Sequence, residues 1–337
     1  MSLSLVPHQL KTFATANAVS PSFNYYIDPK DIVERLAEAL LERRFCLLFG
    51  HRQSGKTTAA ISTLAYLRSY TYQLDGYDKP GIETYYMTLQ NGIDFTSRSS
   101  FWWSFCRTLR ANYPQRFQYD NSEPPSSATF TSFFRKACTI LQNPVVLIID
   151  EASILYEINH NDEGIVADFI GTLRGCKDNF LDCTLHAVVL VGTESVREVL
   201  ASHSVKGRSI FSPFTEEATY ESTRFTPSQV QHLLRQFSDA RDVDLDVDEI
   251  SNDIYELTQG HKGLVGVCGT FIQERLFDRN RKVTLGDWKA NSYNLQCFVE
   301  SKQTYSSILR CLPTLGEKHR EILGNVLRNT FDTVSVS

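Results

Sequence analysis

A glycine-rich octapeptide directly after a short apolar run constrains the fold of this chain more than any other feature. Residues 50–57 read Gly-His-Arg-Gln-Ser-Gly-Lys-Thr and fit the pattern G-x-x-x-x-G-K-[ST] in full. The run Phe45–Phe49 before them predicts a buried strand, and Thr57–Arg68 predicts a helix. In this order, backbone N–H groups and a helix N-terminus face the same point. The octapeptide therefore predicts a phosphate-binding loop.

A second apolar run ends in two carboxylates. Val145–Ile149 is followed by Asp150 and Glu151. A central parallel strand would place Asp150 at the sheet edge near Thr57, with Glu151 next to it. The two runs together form a matched Walker A and Walker B pair. The bland alternative is an apolar core strand that ends in two solvated acids.

The pair predicts the ligands of a magnesium-bound nucleoside triphosphate. Lys56 is expected to reach the β- and γ-phosphates, Thr57 and Asp150 to hold Mg²⁺, and Glu151 to activate the attacking water as the catalytic base. No Asn-Lys-x-Asp or Thr-Lys-x-Asp sequence typical of guanine recognition is present, so ATP is favoured over GTP. The predicted nucleotide-binding residues of the loop are Gly50, His51, Arg52, Gln53, Ser54, Gly55, Lys56, Thr57 and Thr58.

Two further residues are candidates for the reaction itself. Thr193 follows the predicted strand His186–Val191, where it could orient the water or report the loss of phosphate, or simply cap the next helix. Arg208 lies between that helix and a predicted domain boundary. It could act as an arginine finger in its own subunit or a neighbour's, with a solvated loop arginine as the alternative.

Residues outside the core motifs could also contact the nucleotide. His261 and Lys262 lie in a Gly-His-Lys-Gly break between two predicted helices. Lys262 could sense the phosphates, or the segment could be a helix-capping turn. Tyr25, Tyr26 and Ile27 precede the first helix and could pack on adenine or form part of the core.

The predicted fold is α/β: a parallel-sheet P-loop NTPase core with a smaller helical lid. Strands are predicted at Phe45–Phe49, Thr84–Leu89, Val145–Ile149 and His186–Val191, with helical sequence between them. The helices predicted after residue 214 are Pro227–Phe237, Val247–Thr258, Leu264–Phe277 and Ser292–Leu309. The expected domains are a flexible tail at 1–22, the NTPase domain at 23–214, the lid at 215–312, and a C-terminal helix and tail at 313–337.

Composition bears on membrane insertion, on nucleic-acid binding and on the redox state of the cysteines. No run approaches the roughly 20 apolar residues that span a bilayer, so a membrane protein is not expected. The net charge of −5 gives no global reason to bind nucleic acid, which is left open without support. Eight cysteines at irregular spacings form no C-x-x-C pair and predict reduced thiols in an intracellular compartment, the cytoplasm or nucleus.

With these motifs, the chain resembles the AAA-like P-loop ATPases of the branch shared by origin-recognition, archaeal and STAND ATPases. It looks closest to fungal ATPases found among crinkler-like proteins. The residues that carry the resemblance are Tyr25–Pro29, Gly50–Thr58, Leu147–Ala152 and Thr258–Leu264.

The resemblance implies an ATPase core with a helical lid that acts as a nucleotide-driven switch or motor, often governing an attached effector module. Two departures are visible. No nuclease-like or repeat module follows within the sequence given, and no crinkler-type targeting motif is evident in residues 1–27. The predicted lid also has no arginine beside Gly260, so Lys262 is offered as a substitute for the second sensor.

Three functions remain open at this stage. The first is an ATP hydrolase that uses Mg²⁺ and changes conformation with its nucleotide, as a homo-oligomer or with a protein partner. The second is a signalling or scaffold protein that holds ATP with little turnover. The third is a DNA-associated ATPase, for which salt-dependent DNA binding is the first requirement.

Overall fold

The computed structural model describes residues 11–15, 18–69, 72–74, 77–79, 81–120, 122–138, 143–205, 212–277, 282–311, 313, 316 and 317. These residues form two units. The sheet unit contains the described residues of 16–224 together with 261–263. The helical unit contains those up to 15, 225–260 and those from 264 onward. Within the described residues, no helix is long and apolar enough to cross a membrane.

The sheet unit is built on a five-stranded parallel sheet. Its described strands are β1 (Phe45–Phe49), β2 (Tyr72–Leu74), β3 (Tyr77–Lys79), β4 (Glu83–Thr88), β5 (Val145–Asp150), β6 (Leu185–Gly192) and β7 (Phe214–Glu221). The main sheet has the order β4-β5-β6-β1-β7, while β2 and β3 pair with each other in a separate antiparallel sheet. Every residue of β1 and β5 is buried. Strands buried on both sides are typical of a parallel sheet covered by helices.

Helices cover both faces of this sheet. They are α1 (Lys30–Leu41), α2 (Lys56–Ser69), α3 (Arg98–Asn112), α4 (Ser127–Ser132), α5 (Ile154–Asn161), α6 (Glu163–Asp178) and α7 (Glu194–Val205). Ile148 of β5 packs in one core with residues of α1 and α2. Its neighbour Leu147 packs in a second core with aromatic residues of α3 and α6. Because successive strand residues point to opposite faces, the two cores lie on either side of the sheet.

The predicted α/β class and all four predicted strands are confirmed, with ends that differ by at most one residue. The strand β7 was not predicted. It pairs with β1 and extends the sheet to Glu221, so the structure divides after Arg224 and not after residue 214 as expected. Its sequence, Phe-Thr-Glu-Glu-Ala-Thr-Tyr-Glu, buries Phe214, Ala218 and Tyr220. So few apolar residues on an edge strand leave a weak signal.

The predicted flexible tail at 1–22 is wrong for the residues that the structure describes. Phe13 is buried, and its ring lies 5.5 Å from that of Phe237 within the helical unit. In the sheet unit, the backbone N–H of Val19 donates to Thr58 Oγ1 at 3.0 Å. Phe13 therefore contributes to the core of the helical unit, and Val19 is tied to α2.

The helical unit contains α8 (Pro227–Arg241), α9 (Val247–Thr258), α10 (Lys262–Phe271), a π-helical turn (Ile272–Leu276), α11 (Leu285–Ala290), α12 (Ser292–Ser301) and α13 (Gln303–Cys311). The first two residues of α10 belong to the sheet unit. The predicted helix Ser292–Leu309 is interrupted at Lys302, which has an extended backbone. The predicted helix Leu264–Phe277 begins two residues earlier and ends in the π-helical turn.

The predicted break between α9 and α10 is confirmed at Gly260. This residue has a left-handed φ of +70°, and a Cβ there would collide with the carbonyl of Phe225. The N–H of Phe225 in turn donates to the Gly260 carbonyl at 2.8 Å. Only glycine fits this close approach of two backbone segments without strain.

Candidate nucleotide site

The glycine-rich loop lies where β1 ends and α2 begins, as the sequence predicted. Its backbone has positive φ angles at Gln53 (58°) and Gly55 (86°), and Lys56 opens the helix. A turn of this kind directs successive N–H groups into one concavity that suits an anion. The helix N-terminus adds its positive end at the same place.

Lys56 is held over this loop by backbone carbonyls. Its Nζ donates to the carbonyl oxygens of Gly50 at 3.0 Å and His51 at 2.6 Å. Burial lowers the pKa of Lys56, and the carboxylates of Glu151 and Asp150 oppose that shift. The ammonium group is thus positioned beside the loop, close enough to both acids to interact with their charges.

Asp150 joins the loop helix to the central strand. Its Oδ2 accepts a hydrogen bond from Thr57 Oγ1 at 2.7 Å, and its Oδ1 accepts one from the N–H of Glu151 at 2.7 Å. Only 3% of Asp150 is exposed. The predicted pair of Thr57 and Asp150 therefore meets in space, although 93 residues separate them.

A tyrosine that the sequence did not single out also contacts Asp150. Tyr86 of β4 donates its hydroxyl to Asp150 Oδ2 at 2.8 Å. Burial, followed by the charge of Asp150, raises the pKa of Tyr86, which keeps its hydroxyl protonated. Alternation along a strand could predict which face Tyr86 occupies, but not that its hydroxyl reaches a carboxylate of β5.

Glu151 is placed differently from its neighbour. It has a left-handed φ of +55° and an exposed side chain. Non-glycine residues rarely adopt this conformation, and those that do are concentrated at functional sites. Partial burial of the carboxyl group and the nearby Asp150 raise the pKa of Glu151, while Lys56 and Arg52 oppose the shift.

Thr193 lies between β6 and α7, in contact with the segment that follows Glu151. Its N–H and its Oγ1 both donate to Ser153 Oγ, at 2.7 and 3.0 Å. Its Oγ1 also lies 2.8 Å from Ser195 Oγ. The sensor role and the helix-capping role of Thr193 both stay predictions. Its carbonyl accepts from the N–H of Val196 in the first turn of α7, as expected of a residue that starts a helix. Arg208 lies outside the described residues.

Lys262 and His261 belong to the sheet unit and meet the loop there. A Cβ at Gly55 would lie 3.1 Å from Lys262 Cδ and 3.4 Å from its Nζ. His261 Nε2 is 3.1 Å from the carbonyl oxygen of Arg52 and acts as the donor of that hydrogen bond. Burial lowers the pKa of His261, and the hydrogen bond to the Arg52 carbonyl opposes this shift. Burial also lowers the pKa of Lys262, to about 8.

A cavity of about 290 Å³ opens beside the loop. Its lining residues are His51, Ser54, Glu221, Ser222, Thr223, Arg224, His261 and Lys262. Ser222 ties the end of β7 to the loop, since its Oγ donates to the Ser54 carbonyl at 2.6 Å and its N–H to the Phe49 carbonyl at 2.8 Å. Sequence reasoning missed Ser222 and Arg224 because it did not predict β7.

The residues present fit a magnesium-bound nucleotide. Ser54 Oγ is buried and makes no hydrogen bond with the described residues, so the loop holds a polar atom suited to a ligand. No group of three or more His, Cys, Asp or Glu that could hold a metal occurs in the described part of the chain. One carboxylate and one hydroxyl, as in Asp150 and Thr57, suit Mg²⁺, which retains several waters and binds substrate phosphates.

The predicted adenine contacts stay predictions. Tyr25 is buried, and Tyr26 Oη lies 3.3 Å from Ser62 Oγ of α2 and donates to Asp28 at 3.4 Å. Both residues therefore anchor the segment before α1 to the sheet unit.

Comparisons with known proteins agree with this architecture. Residues 37–200, or 164 of the 337 residues, match the family model described as an AAA domain. No curated protein matches the sequence.

Solved structures show the same fold at low sequence identity. The Walker-type ATPase PABY2304 of Pyrococcus abyssi has a TM-score of 0.57 and 12% identity, covering 86% of this chain and 76% of that one. The Aeropyrum pernix ORC2 protein, in ADPNP-ADP complexes, has a TM-score of 0.55 and 16% identity over 82% and 70% of the two chains. The Aeropyrum pernix ORC1 protein in complex with DNA has a TM-score of 0.51 and 14% identity over 93% and 73%.

The parallel sheet, the loop with its paired lysine and threonine, and the AAA domain match lead to one conclusion. The chain has the fold of P-loop ATPases and carries an ATP-binding AAA domain within residues 37–200.

Proposed function

We propose that this protein hydrolyses ATP with Mg²⁺ and acts as a nucleotide-driven conformational switch. The observation that carries the proposal is the hydrogen bond of 2.7 Å between Thr57 Oγ1 and Asp150 Oδ2, with Glu151 next in the chain. It supports a metal-binding role for Thr57 and Asp150, and the role of base for Glu151, beside the glycine-rich loop.

The residues divide the work between binding and proton transfer. Lys56 and the loop N–H groups bind the phosphates, and Thr57 and Asp150 provide oxygen ligands for the cation. Mg²⁺, when bound there, supplies positive charge that offsets the charge of the phosphates. Glu151 orients the attacking water and accepts its proton on a carboxylate oxygen.

Other roles belong to the same proposal. Thr193, bonded to Ser153, would report the state of the segment that contains Glu151. Lys262 would contact the phosphates from the start of α10, and Arg208 would act as a finger in its own subunit or in a neighbouring copy. The resemblance to crinkler-like ATPases remains a prediction from the motifs.

The setting and partners are proposed on narrower grounds. None of the eight cysteines is joined in a disulfide, which supports an intracellular setting, cytoplasmic or nuclear. A homo-oligomer or a protein partner would give a trans-acting Arg208 its target. ORC1 was solved with DNA, but the net charge of −5 lends a DNA partner no support here.

Phosphate release with Mg-ATP tests the proposed hydrolysis. Glu151→Gln keeps the shape of the side chain but removes the base, so kcat is expected to fall about 100-fold or more with nucleotide affinity retained. Lys56→Ala removes a charged donor to the phosphates and is expected to weaken nucleotide binding by roughly 10- to 100-fold.

Lys30→Ala serves as the control for Lys56→Ala, because Lys30 is an exposed lysine that pairs with Glu34 on α1. It is expected to match the wild type. Unchanged turnover in Glu151→Gln would remove the role given to that residue. A wild-type chain that retains ATP without turnover would instead support the second function, a protein that holds ATP as a structural ligand.

A further inference from the structure

Tyr86 is the one group outside the two motifs that bonds the predicted metal-binding carboxylate in the described part of the chain. Its hydroxyl donates to Asp150 Oδ2 at 2.8 Å, and Thr57 Oγ1 donates to the same oxygen at 2.7 Å. We infer that Tyr86 is a positioning residue that fixes the orientation of the Asp150 carboxylate for magnesium. This inference rests on the proposed function.

The donors around Asp150 define the plane of its carboxylate. Oδ1 is held by the N–H of Glu151 at 2.7 Å, while Oδ2 is held from α2 by Thr57 and from β4 by Tyr86. Groups that hydrogen-bond a ligating carboxylate orient it toward the metal, and their loss weakens metal binding. Tyr86 is the donor in this set that is not itself a proposed ligand or base, so it can be changed without removing either.

The backbone of Tyr86 is fixed as well as its side chain. β4 is an edge strand, paired on one side with β5. On its open side, Tyr113 Oη accepts from the N–H of Tyr86 at 3.0 Å and donates to its carbonyl at 2.9 Å. The Tyr113 hydroxyl thus bonds both the N–H and the carbonyl of Tyr86, which point away from β5. An edge strand would otherwise leave such groups without a strand partner.

The position of Tyr86 in the strand explains why its hydroxyl reaches the site. Tyr86 is paired with Ile148 in the parallel register and packs against the core that contains Ile148. Asp150 lies two residues beyond Ile148, on the same face of β5. The side chain of Tyr86 begins beside Ile148, and its hydroxyl reaches Asp150 on the same face of the sheet.

Tyr85 offers a matched control on the same strand. Its hydroxyl donates to Glu83 Oε2 at 2.6 Å, and Glu83 pairs with the buried Arg116 at 3.1 Å. Tyr85→Phe and Tyr86→Phe each remove one hydroxyl that donates to one carboxylate. They differ in whether that carboxylate belongs to the proposed metal site.

The test measures how much magnesium strengthens nucleotide binding. The affinity of the full chain for a fluorescent ATP analogue is measured in EDTA and in saturating Mg²⁺, for the wild type and both variants. Tyr86→Phe is expected to bind the analogue in EDTA as tightly as the wild type. Its increase in affinity on adding Mg²⁺ is expected to be about tenfold smaller than that of the wild type. Tyr85→Phe is expected to keep both.

The possible results separate the inference from its alternatives. A wild-type magnesium gain in Tyr86→Phe would overturn the inference. An equal loss of affinity in EDTA, with lowered thermal stability, would show general loosening of the sheet and would also overturn it. Phosphate release is read in the same samples, so a wild type that gains affinity from magnesium without turnover contradicts the proposed hydrolysis and not the role of Tyr86.

Discussion

Lys262, which lies next to Gly55 of the loop, has a pKa well below its ordinary value. Its pKa falls from the ordinary 10.5 to about 8 because burial disfavours the ammonium group. Between these two values the unfolded chain binds more protons than the folded chain, so this lysine makes the folded state more stable as pH rises. Below about pH 8 Lys262 is charged in both states, so burying its ammonium group destabilises the folded state by the full amount.

We predict that ATP binding draws a proton onto Lys262 above its folded pKa. Phosphate oxygens next to the amine favour the ammonium form, so binding near pH 8.5 should take up protons, roughly half of one or more per site. Isothermal titration calorimetry in two buffers of different ionisation enthalpy measures this uptake.

The control compares Lys262→Met with the wild type, both near pH 8.5 and near pH 6.5, where Lys262 is already charged. The wild type should take up more protons on binding ATP near pH 8.5 than near pH 6.5. Lys262→Met should lack this increase. Equal uptake by the two chains would place Lys262 away from the phosphates.

Among the elements, α8 illustrates a helix start that is visible in both sequence and structure. The Oγ1 of Thr226 accepts from the N–H of Gln229 at 3.3 Å, and Gln229 Oε1 accepts from the N–H of Thr226 at 2.9 Å. Pro227 opens the helix at a position where no donor is needed. This reciprocal pair gives the N–H of Thr226 its partner and adds a second acceptor for the N–H of Gln229, which also donates to the Thr226 carbonyl at 3.0 Å.

Removing this cap should destabilise the helical unit. Thr226→Ala is expected to lower the free energy of unfolding by about 1 kcal/mol, and Thr226→Ser should keep most of it because it retains the oxygen. Urea denaturation followed by circular dichroism gives the difference. Equal midpoints for the alanine and serine variants would mean that the hydrogen bond contributes little.

The accuracy of the sequence predictions varied between elements for physical reasons. β1 and β5 were predicted within one residue because strands buried on both faces are continuous apolar runs. β7 was missed because its sequence, with three glutamates and two threonines among eight residues, has neither an apolar run nor a regular alternation. The break at Lys302 was missed because neither glycine nor proline marks it.

The site divides along similar lines. Lys56, Thr57 and Asp150 could be predicted because each belongs to a motif with a fixed place in the fold. Tyr86 and Ser222 could not, because their contacts join residues 64 and 168 positions apart. Such contacts depend on strand register and on the packing of strand ends, which periodicity does not specify.

At the scale of the whole molecule, the structure combines an α/β sheet unit that contains the candidate site with a separate helical unit. The division after Arg224 assigns the whole parallel sheet to one unit, and residues 261–263 join it through their contacts with the loop. We propose that ATP binds to the sheet unit through Lys56, Thr57 and Asp150, and that Glu151 is required to hydrolyse it.

The identity of the nucleotide that stays bound shows whether Glu151 is needed for hydrolysis and Lys56 for binding. Wild type, Glu151→Gln and Lys56→Ala are incubated with Mg-ATP, separated rapidly from free nucleotide and quenched, and the bound nucleotide is identified by chromatography. We expect ADP on the wild type, ATP on Glu151→Gln and little of either on Lys56→Ala. ADP on Glu151→Gln in the wild-type amount would contradict this expectation.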